Sequence, residues 1–192
     1  NARREPLRDG QLHVAIAGAG ATGVELAAEM HESLHGMGEF GLDWVVPERD
    51  VKIHLIEGSD RILPGLPPRI SQTTREELER IGVNVHLNEL VAEATAEGLR
   101  TRAGTFIPAE IKVWAAGIKA PDVLAGLGGL ETNRANQVLV RPTLQTTRDD
   151  DIFALGDCAA CPRDGGMVPP RAQAAHQQAA LLVRTLAGRL SG

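Results

Sequence analysis

The stretch VAIAGAGATGVELAAEM, residues 14–30, decides how this chain is read. It opens as a short apolar run, passes three glycines, and continues as a helix with Val24, Leu26, Ala27, Ala28 and Met30 on its apolar face. The glycines stand at Gly18, Gly20 and Gly23, a G-x-G-x-x-G spacing set between strand and helix. The spacing alone is a weak signal, because glycine-rich turns are common, and its position in the chain makes it specific. Gly18 allows the tight turn, Gly20 lets a pyrophosphate approach the backbone, and Gly23 lets the helix pack close to the strand. The phosphates would meet unpaired N–H groups at the helix start. A glycine turn without a ligand is the bland alternative.

A dinucleotide site of this kind also needs an acid at the end of the next strand, usually some 20 residues on. Glu57 closes VKIHLIE and comes later than that, the excess length being an inserted loop at 36–50. A carboxylate there accepts hydrogen bonds from the adenosine ribose hydroxyls and repels a 2′-phosphate, which favours NADH over NADPH. Arg61, four residues on, is the one feature that points toward NADPH.

Outward from this core, QLHVAIAG (11–18), VKIHLIEG (51–58) and VNVHLN (83–88) read as strands. ATGVELAAEMHESLH (21–35) and RISQTTREELERIG (69–82) read as helices, the second ended by Gly82. Residues 90–118 read as a small antiparallel meander followed by a buried strand, IKVWAAG. Beyond residue 120 the expectation is loop, a short strand near Val138–Val140, a buried strand IFALGD (152–157), and a helix over 169–190 that starts at two prolines. The fold class is therefore α/β: a Rossmann-like nicotinamide-binding domain with a meander over 11–120, and an incomplete second Rossmann-like domain over 121–192. Residues 1–10 are a polar flank or tag remnant.

Composition narrows the function classes. The 192 residues are 43% hydrophobic and 23% charged, as in soluble globular chains, and a net charge of −5 offers no footprint for nucleic acid. No apolar run approaches the ~18 residues needed to span a bilayer. Cys158 and Cys161 form a C-x-x-C pair, but outside the βαβ setting of a dithiol redox motif. Two cysteines do not complete a structural zinc site, so no metal site is expected. Buried structural thiols are the favoured reading, in keeping with a reducing, cytoplasmic compartment.

Five blocks, in order and sensibly spaced, carry a family resemblance: GAGATGVELA (18–27), IEGSDRILPGLPP (56–68), VWAAGIKA (113–120), DIFALGDCAA (151–160) and PPRAQAAHQQA (169–179). The chain resembles the two-dinucleotide-binding-domain flavoprotein reductases, and most closely type II NADH dehydrogenases, which pass electrons from NADH through FAD to quinone. The resemblance implies that Gly18, Gly20, Gly23 and Glu57 bind NADH, and that Gly117 lies where the nicotinamide domain returns to the flavin domain. It implies that Gly156 and Asp157 bind FAD, the Asp157 carboxylate accepting a ribityl hydroxyl. Glu25 would lie near the nicotinamide–flavin junction, or else is a helix glutamate facing solvent or an ion-pair partner. RAQAAHQQA is similar to the family's quinone-side motif. On a helix Gln173 and Gln177 share a face, His176 is beside them, and the alanines let a flat ring approach. The helix N-terminus would favour charge on reduced flavin. Of these, Glu25 and Gln173 are the candidate catalytic residues.

The resemblance also says what to expect of the parent. The reaction would be hydride transfer from nicotinamide to flavin and then two-electron reduction of a quinone, at the cytoplasmic face of the inner membrane. Only one G-x-G-x-x-G is present, so the chain reads as an internal fragment: a complete NADH domain and the second half of an FAD domain, expected to be inactive alone. Exposed apolar surface after residue 120 would favour a homodimer or strand exchange. Three other readings stay open: a ferredoxin-reductase-like enzyme, a sulfide:quinone reductase-like enzyme, and an NADH-binding sensor that does not turn over.

Overall fold

A computed structural model describes residues 7–34 and 45–191. The chain divides into two compact units, Asn1–Gly117 and Ile118–Gly192.

In the first unit, β1 (His13–Ala17) leads into α1 (Ala21–Leu34); a short α2 (Pro47–Asp50) precedes β2 (Lys52–Ile56), then come α3 (Pro68–Arg80) and β3 (Val83–His86). Residues 35–44, most of the expected loop at 36–50, lie outside the described residues. Three short antiparallel strands follow, β4 (Val91–Ala94), β5 (Gly98–Thr101) and β6 (Phe106–Pro108), before β7 (Ile111–Trp114) returns to the main sheet. That sheet is parallel, in the order β3-β2-β1-β7.

Side chains of a strand alternate between faces, so each face of this sheet is built from every second residue. Val14 and Ile16 join Ile53, Leu55 and Val83 against Val24 and Ala27 of α1 and Leu78 of α3. On the other face Ala15, Ala17 and Ile56 pack against Leu99, Ile107 and Ala109 at the meander. The register Ala15↔His54 and Ile56↔His86 also puts two histidines on this second face. His54 Nδ1 and His86 Nε2 are 3.0 Å apart, and the His13 ring lies 5.7 Å from that of His54.

One expected strand takes a different character here. IKVWAAG forms β7, but at the edge of the sheet rather than in its interior, so Ile111 and Trp114 are exposed. Its apolar composition predicts burial, whereas strand order leaves it a neighbour on one side only.

In the second unit β8 (Val138–Leu139) pairs in parallel with β9 (Ala159–Ala160), β10 (Pro162–Arg163) forms a hairpin with β11 (Gly166–Met167), and α4 (Ala172–Ser191) closes the described chain. Val138, Val140, Leu144, Ala159 and Cys161 make its core. The expected strand IFALGD is absent. Phe153 makes a single antiparallel bridge to Gln145, with Thr146 N–H donating to Ile152 O and Ala154 N–H to Leu144 O, and Gly156–Cys158 curls into a 3-10 turn. Its backbone groups are spent on the 144–146 turn and on α4, so no ladder forms. Among the described residues no helix is long and apolar enough to cross a membrane.

Candidate functional site

In the first unit the carboxyl ends of β1, β2 and β7 open into a cleft of about 460 Å³, within the range of small-molecule sites. Gly18, Gly20, Glu57, Leu90, Trp114 and Gly117 are among its lining residues. The three fingerprint glycines are held by different constraints. A Cβ on Gly18 would stand 2.7 Å from the Ala116 backbone, and one on Gly23 would stand 1.9 Å from Gly18 O. Both are required by the protein's own packing, strand to strand and helix to turn. A Cβ on Gly20 would meet nothing within 4 Å. The fold itself does not require glycine there, and the space is open to whatever enters the cleft.

Beside that opening, α1 begins. Val24 N–H bonds back to Gly20 O, so the amides ahead of it have no acceptor within the helix. They sit at the positive end of α1, where anionic oxygens are favoured.

Glu57 is fixed by the same turn. Its Oε2 accepts the Ala19 N–H at 2.9 Å, while Oε1 accepts the Ser59 N–H at 2.9 Å and the Ser59 Oγ–H at 2.8 Å. Its own N–H donates to His86 O and its carbonyl accepts from Glu89 N–H. The carboxylate is thereby aimed before any ligand arrives. Arg61 turns elsewhere: its guanidinium donates to Pro64 O at 2.9 Å and does not line the cleft.

The walls include two apolar groups that the spacing of the fingerprint does not reveal. Trp114, 62% exposed, is held by its indole N–H on Ala116 O at 3.0 Å. Leu90 lines the same cleft from the connection after β3, next to Glu89, whose Oε1 accepts the Thr105 hydroxyl. The Thr101 and Thr105 hydroxyls hold the Glu89 carboxyl below the usual range, keeping it ionised. Glu25 is exposed on α1 and does not line the cleft.

The second unit carries Gly156, Asp157 and Gln173. Gly156 has a left-handed φ of +71° and donates its N–H to Gln178 Oε1 at 2.7 Å. Asp157 is exposed, and its carbonyl accepts from Gln137 Nε2 at 3.0 Å. Gln173 and His176 are exposed near the start of α4. Gln177 instead lines a hollow of about 270 Å³ with Leu144, Cys161 and Leu181. Neither Gln137 nor Gln178 stands out in the sequence, because a long-range amide contact leaves no local pattern.

Cys158 and Cys161 are both free. Ala159–Ala160 between them is extended, which carries the two cysteines too far apart along the chain for a disulfide. Burial pushes the Cys161 thiol up, with Gln178 acting the other way.

Comparison with known proteins accords with this geometry. The profile of the pyridine nucleotide-disulphide oxidoreductase family matches residues 2–179. A type II NADH:quinone oxidoreductase from Haemophilus influenzae is 43% identical over 178 residues, which cover 92% of this chain and 40% of the relative. One from Mycobacterium tuberculosis is 30% identical over 191 residues, 94% of this chain and 40% of the relative. The chain thus spans about two fifths of the length of these relatives. Among solved structures, a ferredoxin reductase from Rhodopseudomonas palustris superposes with a TM-score of 0.71 at 25% identity, covering 94% of this chain and 41% of that one. NDH2 from Plasmodium falciparum, in complex with NADH, gives 0.66 at 25% identity, covering 78% and 32%. With the profile covering most of its length, the chain belongs to the pyridine nucleotide-disulphide oxidoreductase family.

Proposed function

We propose that this chain is the NADH-binding and part of the FAD-binding region of a flavoprotein NADH:quinone oxidoreductase. One observation carries the reading: Gly20 faces open space at the head of a helix, while Glu57 is pre-aimed across the same cleft by Ala19 and Ser59. That arrangement suits a pyrophosphate at the α1 N-terminus and a ribose diol at Glu57. The relatives' names supply the acceptor, a quinone.

When bound, the nicotinamide supplies a hydride and the flavin relays its electrons onward. The chain's own residues bind and orient. Gly18 and Gly23 shape the turn, Glu57 accepts from the ribose hydroxyls, and Gly117 leaves the end of β7 bare on the nicotinamide side. Asp157 presents an acceptor to the ribityl chain, and Gln173 at the start of α4 stands on the quinone side. Glu25, exposed on α1 and outside the cleft lining, is kept as a candidate on the family resemblance alone. The separated thiols of Cys158 and Cys161 argue against chemistry through a disulfide between them.

A lipid-soluble acceptor puts the reaction at a membrane surface. Val183, Leu186 and Leu190 follow one another along an exposed stripe of α4, which supports a peripheral position. The same stripe would serve a homodimer, and sedimentation with and without lipid vesicles separates the two uses.

The deciding experiment is a fluorescence titration with NADH and with NADPH. NADH binds more tightly, and Glu57→Gln weakens it roughly tenfold, about 1.4 kcal/mol, by removing the charge on the acceptor. Equal affinity for the two nucleotides in the unsubstituted chain would overturn the assignment of Glu57.

A further inference from the structure

The Gly156–Asp157 turn is gripped from two directions by uncharged side chains. Gln178, on α4, accepts the Gly156 N–H at 2.7 Å; Gln137, just ahead of β8, donates to the Asp157 carbonyl at 3.0 Å. The Gly156 carbonyl accepts from Ala159 N–H, closing the 3-10 turn. Three main-chain groups of these two residues are therefore committed, while the Asp157 side chain itself stays exposed. Bonds to the backbone fix the position and Cα–Cβ direction of Asp157 and leave its carboxylate free to bond. The left-handed Gly156 puts the bend where the two amides meet it.

We propose that Gln178 and Gln137 are positioning residues for the flavin, forming an amide clamp that points the Asp157 carboxylate at a ribityl hydroxyl. This rests on the assignment of Asp157 to the flavin made above. Toward the turn each glutamine works in one sense, Gln178 as acceptor and Gln137 as donor, while Gln137 Oε1 accepts from Asn133 Nδ2 at 2.9 Å and so fixes which end of the amide faces Asp157. Glutamate can replace the first and not the second. Gln178 also follows Gln177 directly, so the clamp ties the first turns of α4 to the acid turn, and the two move as one piece.

The test is the dissociation constant of FAD from the polypeptide of natural length that carries this chain, for Gln178→Met, Gln178→Glu, Gln137→Glu and Asp157→Asn. Gln178→Met and Gln137→Glu each weaken FAD about three- to tenfold, the range expected for one lost hydrogen bond. Gln178→Glu stays within about twofold, because its oxygen still accepts the Gly156 N–H. The two glutamates add the same charge near Asp157, so a purely electrostatic effect would treat them alike and overturn the clamp. Asp157→Asn weakens FAD at least as much as either loss. If Asp157→Asn weakens FAD while Gln178→Met and Gln137→Glu do not, the clamp is wrong and the flavin assignment stands. If Asp157→Asn has no effect, the assignment fails and takes the clamp with it. Hydrogen exchange at the Gly156 amide, read in the apoprotein, gives a second measure that survives weak flavin binding. It quickens in Gln178→Met and stays slow in Gln178→Glu, and equal rates in both overturn the proposal.

Discussion

At the scale of single residues, the fingerprint separates into glycines the protein needs and one it does not. The spacing already gives Gly18 the turn, Gly20 the ligand and Gly23 the packing of helix on strand. The would-be Cβ positions divide them: 1.9 Å from Gly18 O at Gly23, 2.7 Å from Ala116 at Gly18, and open space at Gly20. Gly23→Ala should therefore destabilise the fold by about 3 kcal/mol or more, since the backbone of the turn must shift to admit a methyl group. Gly20→Ala should cost no more than about 1 kcal/mol, the difference between the two residues at a helix N-cap. Yet it should weaken NADH at least tenfold. Urea unfolding and an NADH titration on the two variants check the contrast, and matching losses of stability would refute it. Glu57 is legible for the same reason as the glycines: an acid ending the strand after the fingerprint is a local signal. Arg61 is locally just as conspicuous, but the Pro64 carbonyl claims its guanidinium.

Elements tell a less local story. The helices α1 and α3 and the strands β1, β2 and β3 are plain from periodicity, because each has one face in a core. The edge position of β7 is not plain, since it follows from which strand pairs with which across about a hundred residues. IFALGD fails for a related reason. Its composition is that of a buried strand, but the bonds that would make it one go to the turn at 144–146 and to Gln178. The strand periodicity that puts His54 and His86 beneath the meander has a measurable consequence. Burial and the neighbouring His86, His13 and Lys52 lower the His54 pKa to about 4, with Asp9 opposing them weakly. An unfolded histidine titrates near 6.5. Between those values the unfolded chain holds the extra proton, so stability falls as pH drops from about 6.5 toward 4. With allowance for partial exposure, the loss is on the order of 2 kcal/mol, and His54→Phe should reduce it, leaving the smaller dependence of His86, whose pKa burial also lowers. Denaturant midpoints at pH 7 and pH 5 give the answer. The C-x-x-C pair behaves as two unrelated thiols, one at the end of the 3-10 turn and one just past β9. Half-buried Cys158 should react with a thiol reagent well before buried Cys161, and mild oxidants should leave both unpaired within the chain.

Across the whole molecule, the two units differ in how much of their organisation the sequence carries. Asn1–Gly117 has a sheet covered on both faces, and its architecture is legible from the alternation of strand and helix signals. Ile118–Gly192 has two-residue strands and a long helix with no fully buried residue, so motif rather than pattern has to guide its reading. The amide clamp belongs to that second unit, which is why no periodicity points to Gln137 or Gln178. One feature of the first unit bears on how the protein is made. The floor of the cleft is assembled from Gly18 and Ala116, in backbone contact but separated by nearly the whole unit. A ribosome delivers the fingerprint early and its counterpart last, and β1 has no partner on that side until β7 emerges. Nascent chains arrested before residue 111 should thus carry the complete glycine motif and still retain no NADH on an affinity resin, whereas chains released beyond Gly117 should be captured. Synthesis itself would then hold the site closed to its nucleotide until the sheet is whole.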